Sequence, residues 1–169
     1  MPNAARYYRG GVHEGVDLYE YDNCTEIRKG TPVLAARDGT VVRADHDYTP
    51  LTQSELDAAN ARIAAGESNV FEVIDLFRGR QVWVDHGKGI VTRYAHLSGV
   101  APEVTEGARV VQGQPIAFVG DSGTPESISN PDTEIHLHFE VRVGETYLGA
   151  ALAPEDVRAL YAQLFEPWP

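Results

Sequence analysis

The chain has 169 residues, of which 43% are hydrophobic, and it carries a formal net charge of −11 at pH 7. This length supports one well-buried core and is short for two, so we expect a single domain over residues 1–169. The negative charge argues against nucleic acid and anionic lipid as partners, and no apolar run approaches the roughly eighteen residues of a membrane-spanning helix. The lone cysteine, Cys24, excludes an internal disulfide.

The first 30 residues hold few apolar runs, and glycines at positions 10, 11 and 15 surround His13. This pattern predicts irregular backbone or a short strand and argues against a helix. We therefore expect a folded loop to bring His13 and Asp17 together, although their spacing of four would also align them on a helix. No signal peptide is visible at the N-terminus, and the sequence leaves the route of any export open.

Two β-hairpins are predicted from β-prone segments that turn residues separate. The first joins a strand over 31–36 to a strand over 40–44 through the turn-forming pair Asp38-Gly39. The second joins 81–85 to 90–97 through a glycine-rich turn. Alternation along the last of these strands predicts one shared face that carries Ile90, Thr92, Tyr94 and His96.

Between the hairpins lies an inserted arm at about 47–80. Thr52 and Glu55 have the spacing of a capping box, and apolar residues then recur at helical spacing, which predicts a helix over about 53–65. Residues 70–77 are rich in β-prone side chains, so we expect a strand there. The arm is therefore predicted to consist of one helix and one strand.

The C-terminal half is predicted to begin with short strands and glycine turns over 104–120. The polar, proline-containing segment 121–134 is predicted to be a long loop that shapes the access of substrate. Pro154 can begin a C-terminal helix over about 154–165. We expect this helix to pack on the sheet through an apolar stripe that consists of Val157, Leu160, Tyr161, Leu164 and Phe165.

Residues 135–143 alternate strictly between apolar and polar side chains, which is the pattern of a half-buried strand. His136 and His138 then stand side by side on the open face of that strand. Such a pair is either solvated surface or the start of a metal or proton-transfer site. The opposite face, which is expected to pack on the core, carries Leu137, Phe139, Val141 and Val143.

The rest of the chain favours the site over the solvated surface. His13 and Asp17 lie near one end of the chain and His96 lies in its middle, each in a segment that is predicted to be strand or turn. If these segments converge on the sheet face that carries the histidine pair, they form a site. Glu140 shares that face, where it either orients a ligand or pairs with Arg142 or solvent.

Three motifs occur in a definite order: His13-Glu14-Gly15-Val16-Asp17, Tyr94-Ala95-His96-Leu97 and His136-Leu137-His138-Phe139-Glu140. With these motifs the chain resembles the lysostaphin-type (LytM-like) zinc metallopeptidases, many of which cut peptide bonds in bacterial peptidoglycan. The resemblance covers about residues 7–145. It implies a mainly β fold, a compact antiparallel β-sheet domain with the site in a groove, and a location in the cell envelope or outside the cell.

By motif position, the resemblance implies that Zn²⁺ is bound by His13, Asp17 and His138. It implies that His96 and His136 are the catalytic histidines beside the open coordination position. Two imidazoles and one carboxylate leave a fourth tetrahedral position for water, as in catalytic zinc sites. Zinc lowers the pKa of that water to about 7, and nearby histidines then take the proton and stabilise the oxyanion.

Two further features bear on the substrate. The resemblance implies a tyrosine that hydrogen-bonds the oxyanion, and Tyr7, six residues before His13, is the candidate. The arm at about 47–80 departs from the family, which has a short glycine-rich link at this place. We therefore expect the arm to wall or cover the groove.

The resulting expectation is a zinc-dependent endopeptidase that hydrolyses peptidoglycan stem peptides or cross-bridges. Two alternatives stay open: a non-catalytic regulatory or binding module of the same fold, and a metallopeptidase that acts on a peptide from another source. A non-catalytic module should have lost ligands, and none is missing here. A biotinyl or lipoyl carrier shares the glycine-punctuated hairpins, but its methionine-flanked lysine has no counterpart. The oligomeric state stays open.

Overall fold

The computed structural model of the chain describes residues 1–7, 10–20 and 26–165, so Cys24 lies outside the described residues. Within these ranges no helix combines the length and the apolar character needed to cross a membrane. The elements of these ranges are, in chain order, β1 (Ala5–Arg6), β2 (Gly11–Val12), β3 (Val16–Leu18), β4 (Pro32–Leu34), β5 (Gly39–Ala44), α1 (Gln53–Ala64), α2 (Phe71–Arg78), β6 (Val82–Asp85), β7 (Ile90–Ala95), β8 (Leu97–Val100), β9 (Arg109–Val110), β10 (Pro115–Val119), α3 (Glu126–Ser129), β11 (Leu137–Val143), β12 (Thr146–Tyr147) and α4 (Pro154–Phe165).

A large and a small sheet carry the fold. The large sheet has the strand order β12–β11–β7–β6–β5–β9, and β3 also pairs with β11. The small sheet has the order β4–β10–β8. All of these strand pairs are antiparallel. The mainly antiparallel β fold that the resemblance implied is therefore confirmed.

Apolar residues of both sheets form one buried cluster. Val41, Val84 and Tyr94 of the large sheet belong to it, together with Val33 and Ile116 of the small sheet. Because every one of these side chains is almost fully buried, removal of apolar surface from water stabilises the contact between the sheets. The cluster holds the large sheet, which carries the site, against the small one.

The predicted C-terminal helix is observed as α4, and it packs on the same core through Val157 and Tyr161. The hydroxyl of Tyr161 donates a hydrogen bond to the carbonyl of Leu148 at 3.1 Å. The end of the predicted stripe differs from expectation, because Leu164 and Phe165 are each about half exposed. The helix is therefore anchored mainly through Val157 and Tyr161, which precede its last turn.

The first predicted hairpin is wrong. The strand at 32–34 pairs with β10 in the small sheet, whereas the strand at 39–44 pairs with β6 and β9 in the large sheet. Gly39 serves close packing and not a tight turn, because a Cβ built there would lie 2.5 Å from Cγ1 of Val84. The segment between these strands therefore carries the chain from one sheet to the other.

The second predicted hairpin is confirmed by the antiparallel pairing of β6 with β7. Its turn has positive φ at Gly87, Lys88 and Gly89. The predicted strand ends earlier than expected, since Leu97 begins β8 and lies in the small sheet. The chain therefore leaves the large sheet at the residue between β7 and β8, which is His96.

The inserted arm contains two helices. The helix predicted over 53–65 is observed as α1, and Thr52 with Glu55 forms the predicted capping box. The strand predicted over 70–77 is wrong, because this segment forms the helix α2. Packing overrides the β propensity of its side chains: the helix buries Val73 and Arg78 almost completely. At helical spacing, Val73, Ile74 and Phe77 also line a cavity.

The polar face of β11 was predicted to be open, and this prediction is wrong. His136, His138 and Glu140 are all buried, and Glu140 has no exposed surface. Helix α2 causes this burial in part, because its Arg78 donates a hydrogen bond to Glu140 at 2.8 Å. At the other end of the predicted core face, Val143 is 40% exposed.

Candidate metal centre

Neighbouring strands bring the predicted ligands together. In the antiparallel register of β11 with β3, His138 lies opposite Asp17, and on its other side His138 lies opposite Ala95 of β7. His96 directly follows Ala95, and His13 lies in the loop before β3. As predicted, a loop and not a helix brings His13 within reach of Asp17.

Three atoms of the predicted ligands His13, Asp17 and His138 form a tight group, which we call the ligand group. Nε2 of His13 lies 3.0 Å from Oδ1 of Asp17 and 2.9 Å from Nδ1 of His138. Nδ1 of His138 lies 2.8 Å from the same carboxylate oxygen. Among the described residues, this is the group of histidine, cysteine and carboxylate side chains whose geometry could hold a metal ion.

The second ring nitrogen of each ligand histidine has its own partner. Nδ1 of His13 lies 3.1 Å from the carbonyl oxygen of Met1, and Nε2 of His138 lies 2.9 Å from Oε1 of Glu140. These acceptors assign a hydrogen to each outer nitrogen, which leaves the two inner nitrogens as lone-pair donors. Two imidazole lone pairs and a carboxylate oxygen therefore converge, and they repel each other unless a cation or proton lies between them.

The pKa shifts differ among the three residues of this group. Burial raises the pKa of Asp17, but its hydrogen bonds with His13 and His138 outweigh burial and hold the pKa well below its ordinary value. Burial lowers the pKa of His13 to about 4, so that its imidazole is neutral at pH 7. Burial also lowers the pKa of His138, but the hydrogen bonds with Asp17 and Glu140 raise it above the ordinary value. Two imidazoles and one carboxylate fit zinc, which would compete with protons for these ligands.

Glu140 is the partner that orients His138. Its burial raises its pKa, but His138 and the guanidinium of Arg78 outweigh burial and hold the carboxyl well below its usual pKa. Arg142 also approaches the carboxylate, with Nη1 3.4 Å from Oε2. Of the alternatives predicted for Glu140, the structure shows a contact with His138, which is a predicted ligand, and a pairing with Arg142, whereas solvent does not reach Glu140.

His96 and His136 lie beside the ligand group. Nδ1 of His96 lies 2.9 Å from the carbonyl oxygen of Ser122, and Nδ1 of His136 lies 2.7 Å from that of Glu134. The two ring centroids are 4.5 Å apart, and Nε2 of His136 lies 3.9 Å from Oδ1 of Asp17. Burial lowers the pKa of both histidines, so each is neutral at pH 7 with Nε2 available to accept a proton.

The sequence predicted that His96 and Tyr94 share a face of the strand, and this prediction is wrong. Tyr94 is buried in the core, where its hydroxyl accepts a hydrogen bond from the amide of Ala36 at 2.8 Å. His96 has a left-handed φ of 59°, which breaks the alternation of the strand. This turn between the two sheets directs the imidazole of His96 to the site.

The structure does not bring Tyr7 to the site. Its side chain is 92% exposed, and it is not among the described residues that line the cavity. Two cavity residues were missed by the sequence analysis. Tyr19 stacks on His136 with ring centroids 4.5 Å apart, and Arg6 donates a hydrogen bond to Oδ2 of Asp17 at 2.7 Å. The signal for Tyr19 was its place two residues after Asp17 at the end of a strand, since such residues share a face.

The site opens into a cavity of about 600 Å³. One wall is the inserted arm, which contributes Asn60 of α1 and the α2 residues at positions 73, 74, 77 and 78. Another wall is the loop before β11, through Gly123, Thr124, Pro125, Glu126 and Glu134. Both segments that the sequence marked as unusually long therefore border the space above the ligand group.

The sequence of this chain is similar to that of a curated protein. A curated protein named "Uncharacterized metalloprotease", from Haemophilus influenzae, is 28% identical over 159 residues. That match covers 93% of this chain and 24% of the relative, so the chain spans about a quarter of the length of that protein.

Two solved structures match over most of the chain. A zinc-containing peptidase from Vibrio cholerae aligns with a TM-score of 0.54 and 25% identity, over 90% of this chain and 35% of that one. The catalytic domain of the antimicrobial peptidase lysostaphin from Staphylococcus simulans aligns with a TM-score of 0.51 and 25% identity, over 82% of this chain and 75% of that one. The fold is thus the fold of these peptidases.

The sequence model of Peptidase family M23 matches residues 11–150, a range that includes the ligand group and both adjacent histidines. The match covers well over half of the chain and agrees with the resemblance of the three motifs. The chain belongs to Peptidase family M23.

Proposed function

We propose that this chain is a zinc-dependent endopeptidase that hydrolyses peptide bonds of bacterial peptidoglycan, in stem peptides or in cross-bridges. One observation carries the proposal. Nε2 of His13, Oδ1 of Asp17 and Nδ1 of His138 converge within 3.0 Å of one another beside two neutral histidines. A closed structural zinc site has four protein ligands, whereas three ligands leave a position for water or substrate.

The reaction that this arrangement supports is hydrolysis. Zinc, when bound by His13, Asp17 and His138, would lower the pKa of a water molecule and polarise the peptide carbonyl. His96 and His136 each present a neutral Nε2, so either can accept the proton that the attacking water loses. The imidazolium formed in this way can stabilise the oxyanion and then donate its proton to the leaving amine as the C–N bond breaks.

Hydrogen bonds to main-chain carbonyls keep the two catalytic histidines in this role. Because Nδ1 of each ring donates to Ser122 or to Glu134, the lone pair of each neutral ring resides on Nε2. Tyr19, stacked on His136, further limits the rotation of that ring. Each histidine can therefore accept a proton from water and donate it to the leaving amine without rotation of its ring.

The choice of peptidoglycan as substrate is supported by membership of the family and by likeness to lysostaphin, an antimicrobial peptidase. A peptidoglycan substrate would place the working protein in the cell envelope or outside the cell. The residues that line the cavity do not by themselves distinguish a peptidoglycan peptide from a peptide of another source. The experiment must therefore test two questions separately: whether the protein hydrolyses peptide bonds, and which substrate it cuts.

The direct test uses purified peptidoglycans with different cross-bridge types and one unrelated peptide mixture. Each is incubated with the zinc-loaded protein and with chelator-treated protein, and new amino groups are identified by mass spectrometry. The proposal expects new amines from at least one peptidoglycan in the zinc-loaded sample alone. Cleavage confined to the unrelated peptides would show that the substrate is wrong, and a zinc-loaded protein that cuts nothing would favour the binding module.

A further inference from the structure

Arg78 is a buried cation at the end of the inserted arm. It is the last residue of α2, and only 6% of its surface is exposed. A buried guanidinium is costly unless anionic partners compensate for lost hydration. Nε of Arg78 donates to Oε1 of Glu140 at 2.8 Å, and Nη2 donates to Oε2 of Glu14 at 2.8 Å. The arm is therefore tied by a charged pair to the interior of the site.

Glu140 connects Arg78 to the predicted ligand His138. The same Oε1 that accepts from Arg78 lies 2.9 Å from Nε2 of His138, whose Nδ1 belongs to the ligand group. A carboxylate on the outer nitrogen of a ligand histidine fixes the ring and raises its basicity. Arg78 in turn restrains that carboxylate, since its planar guanidinium donates to Glu140 and to Glu14 at the same time.

The main chain of the same residue contacts the other half of the site. The carbonyl of Arg78 accepts a hydrogen bond from the amide of His96 at 2.9 Å, next to the left-handed turn that directs this imidazole. Gly79 then packs so closely on Ser122 that a Cβ would overlap the Ser122 carbonyl. That carbonyl is the acceptor for Nδ1 of His96.

We propose that Arg78 is a positioning residue through which the inserted arm sets the geometry of the zinc centre. Its side chain acts on His138 through Glu140, and its carbonyl acts on His96. Ile74 and Phe77 of the same helix line the cavity, so a peptide bound there would contact the element that holds both histidines. This proposal rests on the proposed function of the site.

The test compares Arg78→Met and Arg78→Lys with Arg43→Met. Arg43 donates to Asp75 of the same helix at 2.6 and 3.1 Å, so its loss weakens the docking of α2 without removing a partner of Glu140. The zinc dissociation constant of each protein is measured by competition with a chromophoric chelator. Urea unfolding of the metal-free proteins reports stability separately.

We expect Arg78→Met to raise the zinc dissociation constant about tenfold, the low end of the 10- to 100-fold cost of losing a direct partner of a ligand histidine, because Arg78 acts on His138 through Glu140. Arg78→Lys should give a smaller increase, because one ammonium cannot reproduce the two-sided fork. Arg43→Met should lower stability, because it removes partly buried ion pairs with Asp45 and Asp75, and it should leave zinc affinity within about twofold of the wild type, since neither carboxylate belongs to the ligand group.

Equal zinc affinity of wild type and Arg78→Met would overturn the proposal, and so would equal losses in Arg78→Met and Arg43→Met. If Arg78→Met does not fold, unchanged zinc affinity of Arg78→Lys overturns it instead. The affinity is measured without peptide, so failure of cleavage counts against the proposed function and leaves the role of Arg78 standing. A wild-type chain that binds no zinc overturns both.

Discussion

At the scale of single residues, the four site histidines each commit one ring nitrogen to a fixed acceptor. His13, His96 and His136 use main-chain carbonyls, and His138 uses the carboxylate of Glu140. The second nitrogen of each ring is thereby left as an acceptor in the neutral state. The predicted roles differ by position, since the inner nitrogens of His13 and His138 lie within 3.0 Å of Oδ1 of Asp17, whereas Nε2 of His136 lies 3.9 Å from it.

The first prediction concerns the ligands. The wild-type protein should hold about one zinc per chain, and Asp17→Ala or His138→Ala should empty the site, because two remaining ligands bind zinc poorly. Elemental analysis of the purified, dialysed proteins measures the zinc content. Full zinc occupancy in both variants would contradict the ligand assignment.

The second prediction separates chemistry from metal binding. His96→Ala and His136→Ala should retain zinc and lower turnover about a hundredfold or more, because a general acid–base group is lost while the ligands remain. Turnover and zinc content are measured on the same samples. Loss of zinc in His136→Ala would mean that the roles of His136 and His138 are exchanged.

At the scale of elements, the inserted arm determines how the site is enclosed. Helix α2 lies over the polar face of the large sheet, where its Asp75 pairs with Arg43. Phe71 of the same helix meets the ring of Trp83 edge-on at 6.4 Å, and the guanidinium of Arg93 lies 3.8 Å from the centre of that ring. Aromatic and charged side chains of the sheet thus dock the helix whose other residues wall the cavity.

A third prediction follows for the cavity wall. Phe77→Ala should change the ratio of kcat/KM between two peptide substrates by about 10- to 200-fold, because one apolar contact in a pocket contributes about 1–3 kcal/mol to discrimination. Phe71→Ala is the matched control, since Phe71 is half exposed on the same helix and outside the lining of the cavity within the described residues. Equal ratios for wild type and Phe77→Ala, with intact zinc binding, would show that the wall plays no part in selection.

The sequence predicted the site better than it predicted the enclosure around it. Alternation along 135–143 predicted that His136 and His138 share one face, and the resemblance carried by the three ordered motifs implied the full set of five histidine and aspartate side chains, although His13 and His138 lie 125 residues apart. The helix at 71–78 was missed because its β-prone side chains are held in a helix by tertiary contacts. The pairing of Arg78 with Glu140 joins residues 62 apart in the chain, and no local pattern indicates it.

At the scale of the whole molecule, a buried core joins the two sheets, and the candidate metal centre lies on the outer face of the large sheet beneath the arm. That the chain forms a single domain stays a prediction. The chain spans about a quarter of the curated relative that it matches, so the activity and partners of a longer protein are separate questions. The central claim, however, concerns residues that all lie in this chain: the group formed by His13, Asp17 and His138 supports metal-dependent hydrolysis.

The most direct measurement is a zinc titration of the chelator-stripped protein, in which the readout is the release of amino groups from a cleavable peptidoglycan. The titration is carried out between about pH 6 and 9, where zinc-bound water ionises and histidine accepts a proton. Cleavage should rise with added zinc and reach its plateau near one equivalent per chain. The Asp17→Ala variant should stay inactive throughout. Cleavage that is complete before zinc is added, or equal in Asp17→Ala, would contradict the account.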